Sequence, residues 1–334
     1  MLNTPFSPWP SFTPEEVQAA ADVLASNRVN YWTGTECREF EKEFAAWCGA
    51  REAVALANGT LALDLVVKAL GIGPGDEVVV TPRTFIASAS CVVNAGAVPV
   101  FADVDHDSGS LSAATIAPVL TSRTKAVIIV HLAGWPCDMD PIMALADEHG
   151  LVLIEDCAQA HGARYKGRSV GAIGHVGTWS FCQDKIMTLG GEGGMVTTND
   201  PELCSRIWSL KDHGKRREVE SDRMEPGFRW LHDSFGINAR MTEVQAAIGR
   251  IQLRRMDRWT ARRTANADAL SMALQPLAGP GRLVRVPCLQ CGSCSGCPQE
   301  SSPSRAGCVH AQYKFYAHVQ PERLADGWTR NRIV

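Results

Sequence analysis

No stretch of the 334 residues stays apolar long enough to cross a bilayer, and neither sign of charge prevails. Lys and Arg number 33 against 36 Asp and Glu, a net charge of −3. That near-balance leaves no electrostatic footprint for nucleic acid or for an anionic membrane surface. Residues 1–10 have neither the basic segment nor the apolar core of a secretory signal. No internal repeat is visible. These absences set the expectation of a cytoplasmic protein with no nucleic-acid or membrane partner.

What is there is ordinary for a globular chain: 45% hydrophobic and 21% charged residues. The length suits one large and one smaller domain. The boundary is expected near residue 250, giving a large domain over 1–250 and a small one over 251–334. Of the twelve cysteines, Cys37, Cys48, Cys91, Cys137, Cys157, Cys182 and Cys204 are spread through core-like elements. In a reducing compartment they read as small buried hydrophobes. The other five crowd into residues 288–308.

The pattern along the chain is α/β. Thr13, Pro14, Glu15 and Glu16 form a helix start, and a second amphipathic helix carries Phe40, Phe44 and Trp47. From residue 53 short apolar runs predict strands over 53–57, 77–80, 98–101, 126–130, 151–155, 177–182 and 194–198. Helical stretches fall near 61–70, 84–95, 112–119 and 140–149, and one long helix is expected over 241–274. Near-continuous apolar strands separated by helices predict a mostly parallel seven-stranded sheet sandwiched by helices, followed by a smaller C-terminal α/β domain. Ligands of such sheets sit beyond the carboxyl ends of the strands.

The strand exits carry the chemistry. After the first strand, Asn58-Gly59-Thr60 opens a helix, in form a phosphate cradle and equally an ordinary cap. Phe85 follows the second strand, where it can stack on a flat ring or belong to the core. Asp156 ends the fifth strand, a carboxylate costly to desolvate without a partner such as a protonated ring nitrogen. Gln159 stands nearby as a hydrogen-bonding group, and His161 reads as a satisfied structural histidine. Ser180 offers a second hydroxyl, and Lys185 follows it before the turn Gly190-Gly191-Glu192-Gly193-Gly194. Singly each is weak. Together they supply a phosphate cradle, a stacking ring, an acid for a pyridinium and an amine for a carbonyl, the inventory for pyridoxal 5′-phosphate (PLP).

These residues, with Asp76-Glu77-Val78, Phe101-Ala102-Asp103-Val104, Glu155-Asp156-Cys157-Ala158-Gln159-Ala160-His161-Gly162 and Gly236-Ile237-Asn238-Ala239-Arg240, make the chain resemble the DegT/DnrJ/EryC1/StrS aminotransferases. These are PLP-dependent sugar aminotransferases of fold type I. The resemblance runs from about residue 6 to 258 and again, weakly, around 310–315. It implies that Lys185 forms the Schiff base and shuttles the proton, and that Asp156 pairs with the pyridine nitrogen. Gln159 lies near the phenolic oxygen, Phe85 stacks on the ring, and Gly59, Thr60 and Ser180 hold the phosphate. Asn238 reaches the phosphate of a neighbouring subunit, which implies a homodimer with shared sites. The implied reaction is ping-pong transfer of an amino group, usually from L-glutamate, to a keto group of a nucleotide-linked sugar or a keto-cyclitol.

Two features depart from the pattern. Cys288, Cys291, Cys294 and Cys297, followed by Cys308 and His310, have a spacing that suits Zn or an Fe–S cluster, or else a Gly/Ser/Pro-rich loop with free thiols. The region after residue 315 is shorter than the family ordinarily provides. An iron–sulfur sugar dehydratase of the same family would replace the lysine by histidine, which Lys185 opposes. A non-catalytic PLP-binding regulator is the remaining alternative.

Overall fold

A computed structural model of the chain describes residues 8–106, 108–216, 231–278, 281–286 and 307–333. Helix α1 (Pro14–Ala25) opens with a reciprocal cap between Thr13 and Glu16, and α2 (Glu36–Cys48) ends at Gly49 in the left-handed region. Then come β1 (Glu52–Leu56), α3 (Gly59–Ala69), β2 (Glu77–Val80), α4 (Ala87–Asn94) and β3 (Val98–Phe101). The chain continues through a short α5 (Ala113–Ile116), β4 (Thr124–Val130), α6 (Met139–His149) and β5 (Val152–Asp156). A two-stranded hairpin, β6 (Arg164–Tyr165) and β7 (Arg168–Ser169), precedes β8 (Val176–Ser180), β9 (Gly194–Thr198) and α7 (Pro201–Lys211).

All seven expected strands join one sheet in the order β1-β9-β8-β5-β4-β2-β3. β9 pairs antiparallel with both its neighbours and every other pairing within β8-β5-β4-β2-β3 is parallel, so six strands share one direction. The carboxyl ends of β1, β2, β5 and β8 therefore reach the same edge, where β9 begins.

Alternation along the strands divides the core in two. Val78, Val80, Ala126, Ile128, Val130 and Ile154 pack on one face, with α2 and α3. Val79, Val127, Ile129 and Leu153 pack on the other, with α6. Each such fully buried side chain contributes about 1.5–3 kcal/mol. By the same parity Glu155 and Asp156 point to opposite faces.

Two helices differ from expectation. The stretch 112–119 is helical only over Ala113–Ile116 and tightens into a 3-10 turn at Ala117–Val119, since Pro118 has no N–H to continue the ladder. The expected long helix divides into α8 (Glu243–Arg254) and α9 (Met256–Leu274). The break falls at Arg255, whose guanidinium bonds Glu16 Oε2 at 3.0 Å and Thr13 Oγ1 at 3.1 Å and pairs with Glu15. Tethering to α1 redirects the chain there. Beyond, β10 (Val284–Arg285) pairs with β11 (His318–Val319). Residues 309–314 return to the β6–β7 hairpin and to the turn after β4: Val309 pairs with Arg164, Ala311 N–H donates to Gly134 O at 2.9 Å and Tyr313 N–H to Ala133 O at 3.0 Å.

Candidate active site

At the carboxyl edge of the sheet lies a cavity of about 620 Å³, within the range of cofactor and small-ligand sites. Its walls include Gly59, Thr60, Phe85, Asp156, Gln159, Ser180 and Lys185. Seven of the eight residues expected to bind a cofactor are thus brought together. The eighth, Asn238, is exposed and lies outside the lining, its backbone bridged to Asp212.

One wall is the start of α3. Asn58 caps the helix by accepting from Leu61 N–H at 2.9 Å, and the free N–H groups of the first turn favour an anion. A Cβ on Gly59 would stand 2.6 Å from Ser180 Cβ, and one on Gly194 would stand 2.3 Å from Asn58 O. Both positions need glycine because the helix start is pressed against β8 and β9. That contact sets the Ser180 hydroxyl beside the helix N-terminus.

The opposite end of the chemistry is a buried acid. Asp156 is 7% exposed. Its Oδ2 accepts from Ser88 Oγ at 2.7 Å and its Oδ1 from Ala158 N–H at 3.1 Å, and Ser88 is in turn bonded to Thr84 Oγ1 at 2.8 Å. Burial pushes the Asp156 carboxyl above its usual range, against the pull of those two bonds and of Lys185. A buried carboxyl in this state lacks a full cationic partner among the described residues. Phe85 lines the same cavity and is 68% exposed, an uncovered aromatic face where a flat ring would be buried. Gln159 Oε1 accepts from Ala133 N–H at 2.7 Å, which leaves its NH₂ for a ligand.

Lys185 follows β8, its N–H held by Cys182 O at 3.0 Å. Its side chain is largely buried, with Nζ 3.5 Å from Asp184 Oδ2 and 5.4 Å from the centre of the Tyr313 ring. Tyr313 donates its hydroxyl to the same Asp184 oxygen at 2.7 Å. Burial and the Asp184 carboxylate push the Tyr313 hydroxyl well above its usual range. Asp184, Tyr313 and Ser88 escaped the sequence reading. Ser88 lies four residues after Thr84 on one side of a helical turn, a signal that was available. Tyr313 is 128 positions from Lys185 and gives no local signal.

Behind the sheet, Glu155 is fully buried. It accepts from His131 Nε2 at 2.9 Å and from the N–H groups of Gly171, Ile173 and Gly174 at 2.7–2.9 Å. Burial raises this carboxyl, but the bonds from His131, Gly171 and Gly174 outweigh it and hold it below the usual range. His131, Glu155 and Cys157 present ligand atoms within 4.8 Å of one another. They are nonetheless spoken for: Glu155 takes four bonds, and His131 Nδ1 accepts from Cys137 N–H at 3.2 Å. No other such group occurs among the described residues. Cys288, Cys291, Cys294 and Cys297 lie outside the described residues. Cys308 Sγ accepts from Lys166 N–H at 3.3 Å.

His161 corrects an expectation. It is buried between Trp179 and Phe181, ring centres 5.3 and 5.4 Å away, yet neither ring nitrogen has a hydrogen-bond partner among the described residues. Burial pushes its pKa down to about 3, so it packs as a neutral ring.

The sequence profile of the DegT/DnrJ/EryC1/StrS aminotransferase family matches residues 10–286. The chain is 42% identical over 278 residues to a dTDP-3-amino-3,4,6-trideoxy-alpha-D-glucose transaminase of Streptomyces venezuelae, covering 82% of this chain and 70% of that protein. It is 48% identical over 258 residues to a GDP-perosamine synthase of Caulobacter vibrioides, covering 74% and 67%. Its fold superposes on an aminotransferase structure from Psychrobacter cryohalolentis with a TM-score of 0.90 and 58% identity, covering 98% of this chain and 81% of that one.

Proposed function

We propose that this chain, which belongs to the DegT/DnrJ/EryC1/StrS aminotransferase family and is a fold type I, PLP-dependent aminotransferase, moves an amino group from L-glutamate to a keto group of a nucleotide-linked sugar in a ping-pong reaction. The observation that carries the residue roles is the meeting of Lys185 and the buried acid Asp156 in one cavity with the α3 N-terminus.

The residues present fit the cofactor. When bound, PLP supplies a ring that takes up the electron pair released at the substrate carbon. Asp156, fixed by Ser88 and Ala158, would hold the proton on the ring nitrogen. Gly59 and Thr60 at the helix start and the Ser180 hydroxyl would hold the phosphate, the Gln159 NH₂ would meet the phenolic oxygen, and Phe85 would cover one face. Lys185 Nζ takes the proton from the donor carbon and returns one to the acceptor carbon. Asp184 and Tyr313 orient that amine. Asn238, exposed and outside the lining of its own cavity, would serve the phosphate site of a second copy, which makes the active unit a homodimer. Among the described residues no helix is long and apolar enough to cross a membrane, in keeping with work in the cytoplasm.

The deciding experiment adds L-glutamate to the holoenzyme with no acceptor. Loss of the visible absorbance and release of 2-oxoglutarate are expected, and an unchanged spectrum would identify a protein that binds the cofactor without transaminating. A panel of keto-sugar nucleotides and keto-cyclitols then ranks the acceptors, with parallel lines in double-reciprocal plots expected for ping-pong kinetics.

A further inference from the structure

One residue bonded to the cavity wall holds a backbone conformation that its side chain disfavours. Ala133, in the turn after β4, has φ of +58° and ψ of 5° and is 2% exposed. The left-handed region brings Cβ close to the following carbonyl oxygen, so a residue other than glycine stays there only when its surroundings over-determine it. They do so here. His131 N–H donates to Asp156 O at 3.2 Å, Gly134 N–H to His131 O at 3.1 Å and Trp135 N–H to Leu132 O at 3.0 Å. Ala133 O accepts from the N–H groups of Tyr313 and Lys314 at 3.0 and 3.3 Å, and Gly134 O accepts from Ala311 N–H at 2.9 Å. A Cβ on Gly134 would stand 2.9 Å from Gln159 O and 2.8 Å from Ala311 Cβ, so the turn is also pressed against the chain that carries Gln159.

The Ala133 N–H is not used within the turn. It donates to Gln159 Oε1 at 2.7 Å. A main-chain N–H can only donate, so the atom it meets is the amide oxygen, and the NH₂ lies on the other branch of the side chain. That NH₂ makes no hydrogen bond among the described residues, and Gln159 lines the cavity. The orientation matters because the two ends of a carboxamide act oppositely. Toward an anionic oxygen the NH₂ donates and attracts, whereas the carbonyl repels.

We propose that Ala133 is a positioning residue for the reaction: its left-handed turn fixes the Gln159 amide so that the NH₂, and not the oxygen, faces the phenolic oxygen of the cofactor. The proposal rests on the Gln159 role given above and supplies its cause. In the loaded protein the phenolic oxygen carries its charge in full only in the basic form, where no proton is shared with it. A fixed donor favours that form and lowers the pH at which the visible absorbance changes. With the Ala133 N–H turned away, the amide is free to rotate and present its oxygen, and that advantage is lost. A Gln159 that served only to satisfy the Ala133 N–H would hold the turn together and leave that pH unmoved.

The test follows the visible absorbance of the holoenzyme against pH in wild type, Ala133→Gly, Ala133→Val, Gln159→Ala and the double variant Ala133→Val with Gln159→Ala. Valine, branched at Cβ, does not hold φ of +58°, whereas glycine does. Ala133→Val and Gln159→Ala are each expected to raise the midpoint by about one pH unit or more, the loss of one charge-assisted hydrogen bond. Ala133→Gly should keep the wild-type midpoint, and Ala133→Val should add nothing once Gln159 is alanine. Hydrogen exchange in the cofactor-free protein is the second measurement. The Ala133 amide should be protected in wild type and exchange about tenfold faster or more in Gln159→Ala. Circular dichroism and cofactor absorbance check that each variant folds and loads; if Ala133→Val does not, the exchange comparison decides. A wild-type midpoint in Ala133→Val overturns the proposal, as does a shift that adds in full to that of Gln159→Ala, or an Ala133 amide that exchanges equally fast with and without Gln159. A wild-type midpoint in Gln159→Ala overturns it together with the Gln159 role. In that case the response to L-glutamate without acceptor still reports separately on transamination.

Discussion

Glu155 and Asp156 are consecutive residues of β5, both buried, and their environments are opposite. The strand turns Glu155 to the back of the sheet, where four donors meet it and its carboxyl is held below the usual range. It turns Asp156 to the front, where two donors meet it and burial raises its carboxyl. A buried carboxylate surrounded by donors is a structural tie: Glu155 fastens the 171–174 turn to the sheet. A buried carboxylate left short of donors beside an open cavity is held ready for a ligand. The difference teaches that burial alone does not mark a functional acid; the balance between desolvation and the donors supplied does.

The largest effect should come from the front face. Lys185→Ala is expected to reduce turnover to background and to remove the visible absorbance of the loaded protein, with little change in melting temperature. Residual full activity would remove Lys185 from the reaction. On the back face, Glu155→Ala strands three backbone N–H groups and His131. Urea titration should show a loss of about 3–5 kcal/mol, and a variant as stable as wild type would erase the contrast between the two acids.

Asp156→Asn should lower kcat by about a hundredfold or more, while the protein still takes up the cofactor. It also offers a test of sign in the cofactor-free protein. The folded-state pKa of Asp156 is raised above the ordinary aspartate value of 3.8, so its contribution to stability is greatest below that pH and is lost as pH rises through the folded pKa. Relative to wild type, Asp156→Asn should therefore gain stability between acid and neutral pH. Glu155→Gln should do the reverse. The Glu155 contribution is present above the unfolded value of 4.5 and is lost as pH falls through the lowered folded pKa, so that variant's deficit is largest at neutral pH and shrinks in acid. Urea titrations of both variants from about pH 2.5 to 7 measure this, and two curves of the same sign would refute the distinction.

Smaller effects sharpen the front face. Ser88→Ala removes one of two donors to Asp156 and should cost about 1 kcal/mol of transition-state stabilisation, about fivefold in kcat. It should also shift the acid limb of the pH–rate profile upward. Tyr313→Phe keeps the ring against Lys185 but frees Asp184, and a change of about twofold to fivefold in kcat is expected. No change would reduce Tyr313 to packing.

Much of the front face was legible beforehand. Asp156 and Lys185 stand at the ends of apolar strands, and a parallel sheet brings such ends to one edge. Gly59 and Gly194 were visible as glycines, but the reason for them, the pressing of the α3 start against Ser180 and Asn58, needed the packed sheet. Tyr313 could not be read at all, because its contact with Asp184 depends on how residues 309–314 return across Ala133 and Gly134. The long helix expected over 241–274 is uniformly helical in its local pattern, and its break falls at Arg255, which is tied to Thr13 and Glu16 far along the chain.

By itself the sequence determined the alternation of apolar strands with helices, and with it the parallel sheet, the edge that bears the site and the residue types held there. Local periodicity and strand-end chemistry decide these, and both are written in neighbouring residues. Tertiary structure alone decided that Glu155, next to the acid already marked in the sequence, is a structural tie, and which distant side chains reach the lysine. Those outcomes depend on how many donors surround a buried charge, and donors arrive from segments far apart along the chain.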